Sequence, residues 1–191
     1  MQKVNYVSEV TYRELQAVDL PHMAAIDRKE SIDGQYTADH GNLTFHERRI
    51  EVAGWYPTEI PDHVAHLEAF IAGGGTAFGA WDGDTMVGIA GLSAEPVGGD
   101  PAVMQLEPLN VSALYRNRGI GGTLVRLIAE AAKARGARTL YISSIPTRNS
   151  VDAYIRMGAH VLATPDPELF ALQPEDIHLL LPIEPAPLLA G

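Results

Sequence analysis

The run Tyr115-Arg116-Asn117-Arg118-Gly119-Ile120-Gly121-Gly122-Thr123-Leu124 joins an apolar stretch that reads as a strand to a strongly periodic helix. A glycine-rich turn at a helix start leaves several backbone N–H groups without acceptors, and the helix dipole makes that end electropositive. Such a turn suits an anion, phosphate above all, and glycine lets the main chain approach it closely. The charge map agrees. The chain carries 14 Lys+Arg against 24 Asp+Glu, a net of −10. Between Arg116 and Arg148 seven basic residues face one acid, Glu130, a local balance of +6 that leaves −16 on the remainder. Lys133 and Arg135 are accounted for by the negative end of a helix dipole, whereas Arg116 and Arg118 flank the turn itself. A basic island in an acidic chain points to a local anionic ligand, while nucleic acid calls for a broader positive surface.

Three phosphate motifs compete for this turn. The Walker pattern needs a lysine that Gly121-Gly122-Thr123 lacks, and the dinucleotide fingerprint needs a third glycine where Leu124 stands. What remains is Arg116-x-x-Gly119-x-Gly121 followed by Gly122. This pattern resembles the pyrophosphate loop of the GNAT family (Gcn5-related N-acetyltransferases), which hold acetyl-coenzyme A. The resemblance implies a cofactor contact along Arg116, Asn117, Arg118, Gly119, Ile120, Gly121, Gly122 and Thr123.

Upstream, Met104-Gln105-Leu106-Glu107-Pro108-Leu109-Asn110-Val111 reads as a strand. Pro108 cannot donate to a ladder, so it implies a bulge or break that frees the amides of Leu109 and Val111. In the family this strand pairs with the pantetheine arm, which the resemblance places against Leu109, Asn110 and Val111. Downstream, Leu140–Ser144 is β-rich, and the segment from Asn149 through Tyr154 to Gly158 is similar to the family's Asn…Tyr…Gly stretch, whose tyrosine lies near the cofactor sulfur. The likeness spans roughly residues 75–185 and weakens over the first 70.

Acetyl transfer to an amine requires a positioned thioester, a stabilised carbonyl oxygen and an outlet for protons at both ends. A lysine-like ammonium, with a pKa of about 10.4, must lose a proton before it attacks. Tyr154 is the candidate acid for the leaving thiolate, and Glu107 resembles a family position used as base. The Leu109 amide is the candidate polariser. Each has an ordinary reading too: Tyr154 as a core tyrosine, Glu107 as an exposed strand residue, Asn149 as the N-cap of a helix at Ser150 rather than a cofactor contact. Glu30 and Asp33 read as the end of a first helix, where carboxylates are unfavourable, which suggests a grip on a cationic substrate or else a solvated loop pair. Trp55 and Tyr56 either wall the amine pocket or pin the loop. His63 and His66 lack a third ligand at a convincing spacing, so no metal is expected.

These residues need a frame. At 191 residues and 46% hydrophobic the chain suits one domain, read as residues 1–183, with 184–191 as a tail. No cysteine is present, which excludes a disulfide framework and a thiolate nucleophile. No signal pattern or bilayer-length apolar run occurs, so the expected location is cytoplasmic, with no membrane partner. The expected elements are a strand in 4–16, a helix capped by Asp19, a long substrate-side loop over 31–60, a helix from Pro61 and a hairpin about Asp82-Gly83-Asp84. The 104–112 strand, helix 119–135, a strand near 140, a helix at 150–157 bearing Val151, Tyr154 and Ile155 on one face, a strand at 159–163 and a last one at Ile177–Leu181 follow. The order β-α-α-β-β-β-α-β-α-β-β is a mixed α/β (α+β) sheet, and it matches the GNAT-like three-layer sandwich that the resemblance implies. The function expected is direct acetyl transfer from acetyl-CoA, as co-substrate, to a primary amine of a small cationic acceptor. A non-catalytic acyl-CoA sensor and a protein or peptide N-acetyltransferase are the alternatives. The acidic surface attracts cations and disfavours nucleic acid. Family members pair through C-terminal strands, so a homodimer is consistent with the resemblance.

Overall fold

A computed structural model describes residues 9–56 and 58–183. The expected tail, and the part of the first expected strand before residue 9, lie outside the described residues. The elements are β1 (Thr11–Glu14), β2 (Glu30–Asp39), β3 (Asn42–Val52), α1 (Ile60–Ala72), β4 (Thr76–Asp82) and β5 (Thr85–Pro96), then β6 (Val103–Val111), α2 (Ile120–Ala134), β7 (Thr139–Ser144), α3 (Arg148–Arg156), β8 (His160–Val161), α4 (Pro167–Leu172) and β9 (Ile177–Pro182). Seven strands form one sheet in the order β1-β4-β5-β6-β7-β9-β8. β2 and β3 stand apart as a two-stranded hairpin.

Apolar patterning explains the layers. β5 is central and its residues 86–92 are buried without interruption, so it reads as a continuous apolar run rather than an alternating one. One core gathers Val87, Ala90 and Leu92 with Leu124 and Ile128 of α2 and Val151 and Tyr154 of α3. A second gathers Trp81, Met86 and Ile89 with Leu67 of α1 and Leu20 and Met23 of a short 3-10 helix, Ala17–Ala25. The sheet is thus sandwiched between two helical layers. Ile155, expected on the inner face of α3, is 41% exposed, because the helix is short and only Val151 and Tyr154 reach the core.

Two further corrections concern the first third. Residues 31–52 are not a loop but most of the β2–β3 hairpin, closed by His40 and Gly41, both at positive φ. That pair is the type I′ turn geometry that matches strand twist. Asp19 does not cap the first helix: Gln16 stands at the N-cap, and the Asp19 carboxylate accepts the Gln16 N–H (2.9 Å) and two Arg13 bonds of 2.7 and 2.8 Å. A carboxylate one turn in returns a bond to the cap backbone, the reciprocal half of a capping box.

The feature that positions the site is a mismatch between β6 and β7. They pair in parallel only over Val103–Gln105 with Thr139–Tyr141, although β6 continues to Val111 and β7 to Ser144. Beyond that point the strands splay. On its other side β6 keeps pairing with β5, with a bulge: Leu106 faces Leu92 and Leu109 faces Ala90, so Glu107 and Pro108 together oppose Gly91. A Cβ on Gly91 would overlap the Glu107 carbonyl, so glycine is what admits the bulge.

Candidate active site

The splayed end of β6 presents backbone, not side chains. Ser112 N–H donates to Val87 C=O (2.8 Å), and Val111 faces Gly88 in the register. In an antiparallel ladder the bonding direction alternates, so the amides of Leu109 and Val111 point away from β5, into the gap. The Val111 carbonyl there accepts the Arg116 Nε–H at 3.0 Å. The bulge expected at Pro108 is present in the β5–β6 register, while the outward direction of these amides follows from the alternation of the ladder and the divergence of β7.

Directly after β6 comes the glycine turn. Gly119 is the N-cap of α2 at φ 81 with no side-chain cap, and Asn117 is also left-handed at φ 60. The first intrahelical bond runs from Thr123 N–H to Gly119 C=O at 3.0 Å, so the amides of Ile120, Gly121 and Gly122 have no acceptor one turn back. A Cβ built on Gly119 or Gly122 meets nothing within 4 Å, and one on Gly121 meets only Val111 Cγ2 at 3.7 Å. Packing within the protein therefore does not demand glycine at 121 or 122. The space in front of three free amides at a helix N-terminus fits a diphosphate. Arg118 lies over the Tyr115 ring, 5.4 Å to its centroid, and leaves the turn open.

Arg116 behaves otherwise. Its guanidinium donates to Lys29 C=O (3.1 Å) as well as to Val111, and lies 3.4 Å from Glu30 Oε2. Asn149 donates its side-chain amide to the other Glu30 oxygen at 2.7 Å. Glu30 and Asp33 are on β2, not at a helix end, so the dipole argument for them does not apply. Glu30 ties the turn after β6 to the first turn of α3, and Asp33 pairs with Arg148 at 3.0 Å. Asn149 is not the N-cap of α3; Thr147 is, because the helix begins two residues earlier than its apolar pattern indicates.

At the bulge end of the gap lies a cavity of about 530 Å³. Glu107, Leu109 and Asn110 of β6 line it, with Ser143 and Ser144 of β7, Tyr154 of α3, and Trp55, His63 and His66 from the α1 side. Tyr154 is 8% exposed and its hydroxyl has no hydrogen bond among the described residues. Burial pushes this phenol far above its ordinary range, so it stays protonated, as an acid must before it donates. Glu107 is half-exposed, 3.7 Å from His66 Nε2. Trp55 both walls the cavity and pins its segment, donating to Ile26 C=O at 2.8 Å under the Arg28 guanidinium. Tyr56 is exposed, outside the cavity lining.

The structure thus brings Tyr154, Glu107, Leu109 and Trp55 to one cavity and sets the glycine turn at the far end of the same strand. Asn149, Arg116, Glu30 and Asp33 lie outside its lining. Sequence reasoning missed Arg28, Asp62, Ser143, Gln173 and Asp176, which complete the wall. They sit on four separate segments, with Gln173 and Asp176 sharing the loop before β9, and no local spacing links the four.

The family model for the acetyltransferase (GNAT) family matches residues 42–159. Among curated proteins, none matches. Solved structures with a similar fold include nourseothricin acetyltransferase, TM-score 0.66 at 22% identity over 92% of this chain and 99% of that one. Another is a putative streptothricin acetyltransferase from Bacillus anthracis str. Ames in complex with acetyl coenzyme A, TM-score 0.61 at 14% identity over 91% and 99%. A third is aminoglycoside 6'-acetyltransferase type Ii, TM-score 0.54 at 24% identity over 69% and 84%.

Proposed function

The chain belongs to the GNAT family of acetyltransferases, and we propose that it moves an acetyl group from acetyl-CoA directly to a primary amine of a small, cationic acceptor. The observation that carries this reading is the continuity of β6. One strand runs from a cavity holding a buried phenol and a carboxylate, past two unpaired amides, to a glycine turn with open space before its N–H groups. Bound acetyl-CoA supplies an activated acyl group as a thioester. The amides of Ile120, Gly121 and Gly122 hold its diphosphate, and those of Leu109 and Val111 pair with its amide-bearing arm. Leu109 N–H polarises the acetyl carbonyl as negative charge develops on its oxygen. Glu107 accepts a proton from the incoming ammonium, the Tyr154 hydroxyl gives one to the departing sulfur as the new C–N bond replaces C–S, and the second proton lost from nitrogen restores the Tyr154 hydroxyl. Arg116 and Asn149 act through Glu30, which joins the two sides of the gap at its glycine-turn end, rather than by reaching the cavity.

The acceptor class rests on charge and on similar folds. A net of −10 concentrates cations around the protein. The similar folds named for nourseothricin and aminoglycosides act, by those names, on small amines. The test is thiol release from acetyl-CoA over a panel of amines, with calorimetry of CoA binding alongside. Tyr154→Phe is expected to lower kcat by about 100-fold with CoA affinity unchanged, within the usual span for one proton-transfer group. Unchanged turnover in that variant removes Tyr154 from the acid role, and absence of thiol release with every amine overturns the transferase reading.

A further inference from the structure

A second cavity, about 780 Å³, lies beside the first and has no part in the chemistry above. Its walls are the β2–β3 hairpin (Tyr36, Thr37, Asp39, Arg48) and the segment from Leu162 to His178. Two thin partitions separate the cavities. Ile145 lines the first and Pro146 the second; Gln173 lines the first and Pro174 and Glu175 the second. Asp176 lines both.

The chemistry of the second cavity is specific. Its floor is apolar, with Leu162, Pro165 and Phe170, the last 45% exposed. Among the described residues, the carboxylates lining it, Asp39, Glu175 and Asp176, outnumber the one arginine or lysine there, Arg48, by three to one. Asp39 is paired with His40, but Glu175 and Asp176 are neighbours with no ion-pair partner among the described residues. Burial raises the Asp176 pKa, with His178 lowering it in part and the adjacent Glu175 adding a smaller rise, so a cation beside the two carboxylates would favour the charged form. A flexible chain with apolar methylenes and spaced ammonium groups meets both the floor and the charges.

We propose that the acceptor site continues past Asp176 into this second cavity, and that the acceptor is an elongated polyamine. One amine reacts beside Glu107 while a further ammonium is held by Asp176 and Glu175. This deepens the transferase reading and rests on it for the identity of the reacting end. It also gives the hairpin a task, since the hairpin supplies half of the second cavity and none of the first.

Spermidine and n-propylamine, titrated calorimetrically and assayed by thiol release, test the proposal on the full chain. Ala163 and Ala38 are exposed residues on opposite walls of the second cavity, away from the first. Ala163→Trp, and independently Ala38→Trp, is expected to weaken spermidine binding and raise its KM at least tenfold. The KM for n-propylamine and the affinity for CoA stay within twofold. Glu175→Gln is expected to raise the spermidine KM about threefold, as for a partly exposed pair. Equal effects on both amines, or spermidine binding no tighter than n-propylamine and indifferent to all three variants, overturn the proposal. If no amine of the wider panel is acetylated, the transferase reading fails separately, while the binding comparison still decides whether the second cavity takes a polyamine.

Discussion

Replacing Gly122 by alanine should make the free protein more stable and its cofactor complex less so. Gly122 occupies the first turn of α2, its φ is not in the left-handed region, and an added Cβ meets nothing within 4 Å. Glycine inside a helix costs about 0.5–1 kcal/mol relative to alanine, mostly through the entropy of the unfolded chain. For a chain of this size each kcal/mol moves Tm by about 2–4 °C, so the free variant should melt about 1–4 °C higher. With CoA the sign reverses. Ligand at 100 times its Kd stabilises by about 2.7 kcal/mol, and a tenfold loss of affinity removes about 1.4 kcal/mol of that. Because a methyl group would occupy the space in front of the Gly122 amide, at least such a tenfold loss is expected. Calorimetric melts of both proteins with and without CoA check it. A variant that gains the same increment in both states would show that no diphosphate approaches Gly122. A variant that melts lower without ligand would refute the packing argument itself.

Glu30→Gln should destabilise the chain by about 1 kcal/mol, the scale of a charge-assisted bond lost from a partly buried cluster, without changing the KM for amines. A raised amine KM at unchanged Tm would instead return Glu30 to the acceptor. Glu107→Gln should lower kcat/KM for amines at neutral pH by at least tenfold while CoA affinity holds; parallel loss of CoA binding would make Glu107 structural. The Arg13 guanidinium holds the Asp19 carboxyl down to about 2. The folded-state value lies below the unfolded one, so the stabilisation is present above the unfolded pKa and is lost as pH falls toward 2. Urea unfolding of Arg13→Gln should therefore show a deficit of about 1–2 kcal/mol at pH 7 that closes between roughly pH 4 and 2; a deficit independent of pH would contradict the pairing.

The glycine turn, the bulge at Pro108 and the β4–β5 hairpin were legible in the sequence because each is decided by a few adjacent residues. Positive φ favours glycine, a proline cannot donate to a ladder, and a turn between apolar runs closes locally. α2 was legible because one buried face imposes a period, and β5 because burial on both faces leaves an unbroken apolar run. The β2–β3 hairpin was not. β3 is exposed along most of its length, so it has no buried face to impose alternation, and only His40-Gly41 marked its turn. The pairing of Glu30 with Arg116 and Asn149, 86 and 119 positions away, left no trace in the chain for the same reason. Where a contact is held by burial against one's own neighbours in sequence, pattern reports it. Where it joins distant segments across a gap, as at Glu30 and at the Asp176 partition, only the folded chain brings the groups within reach.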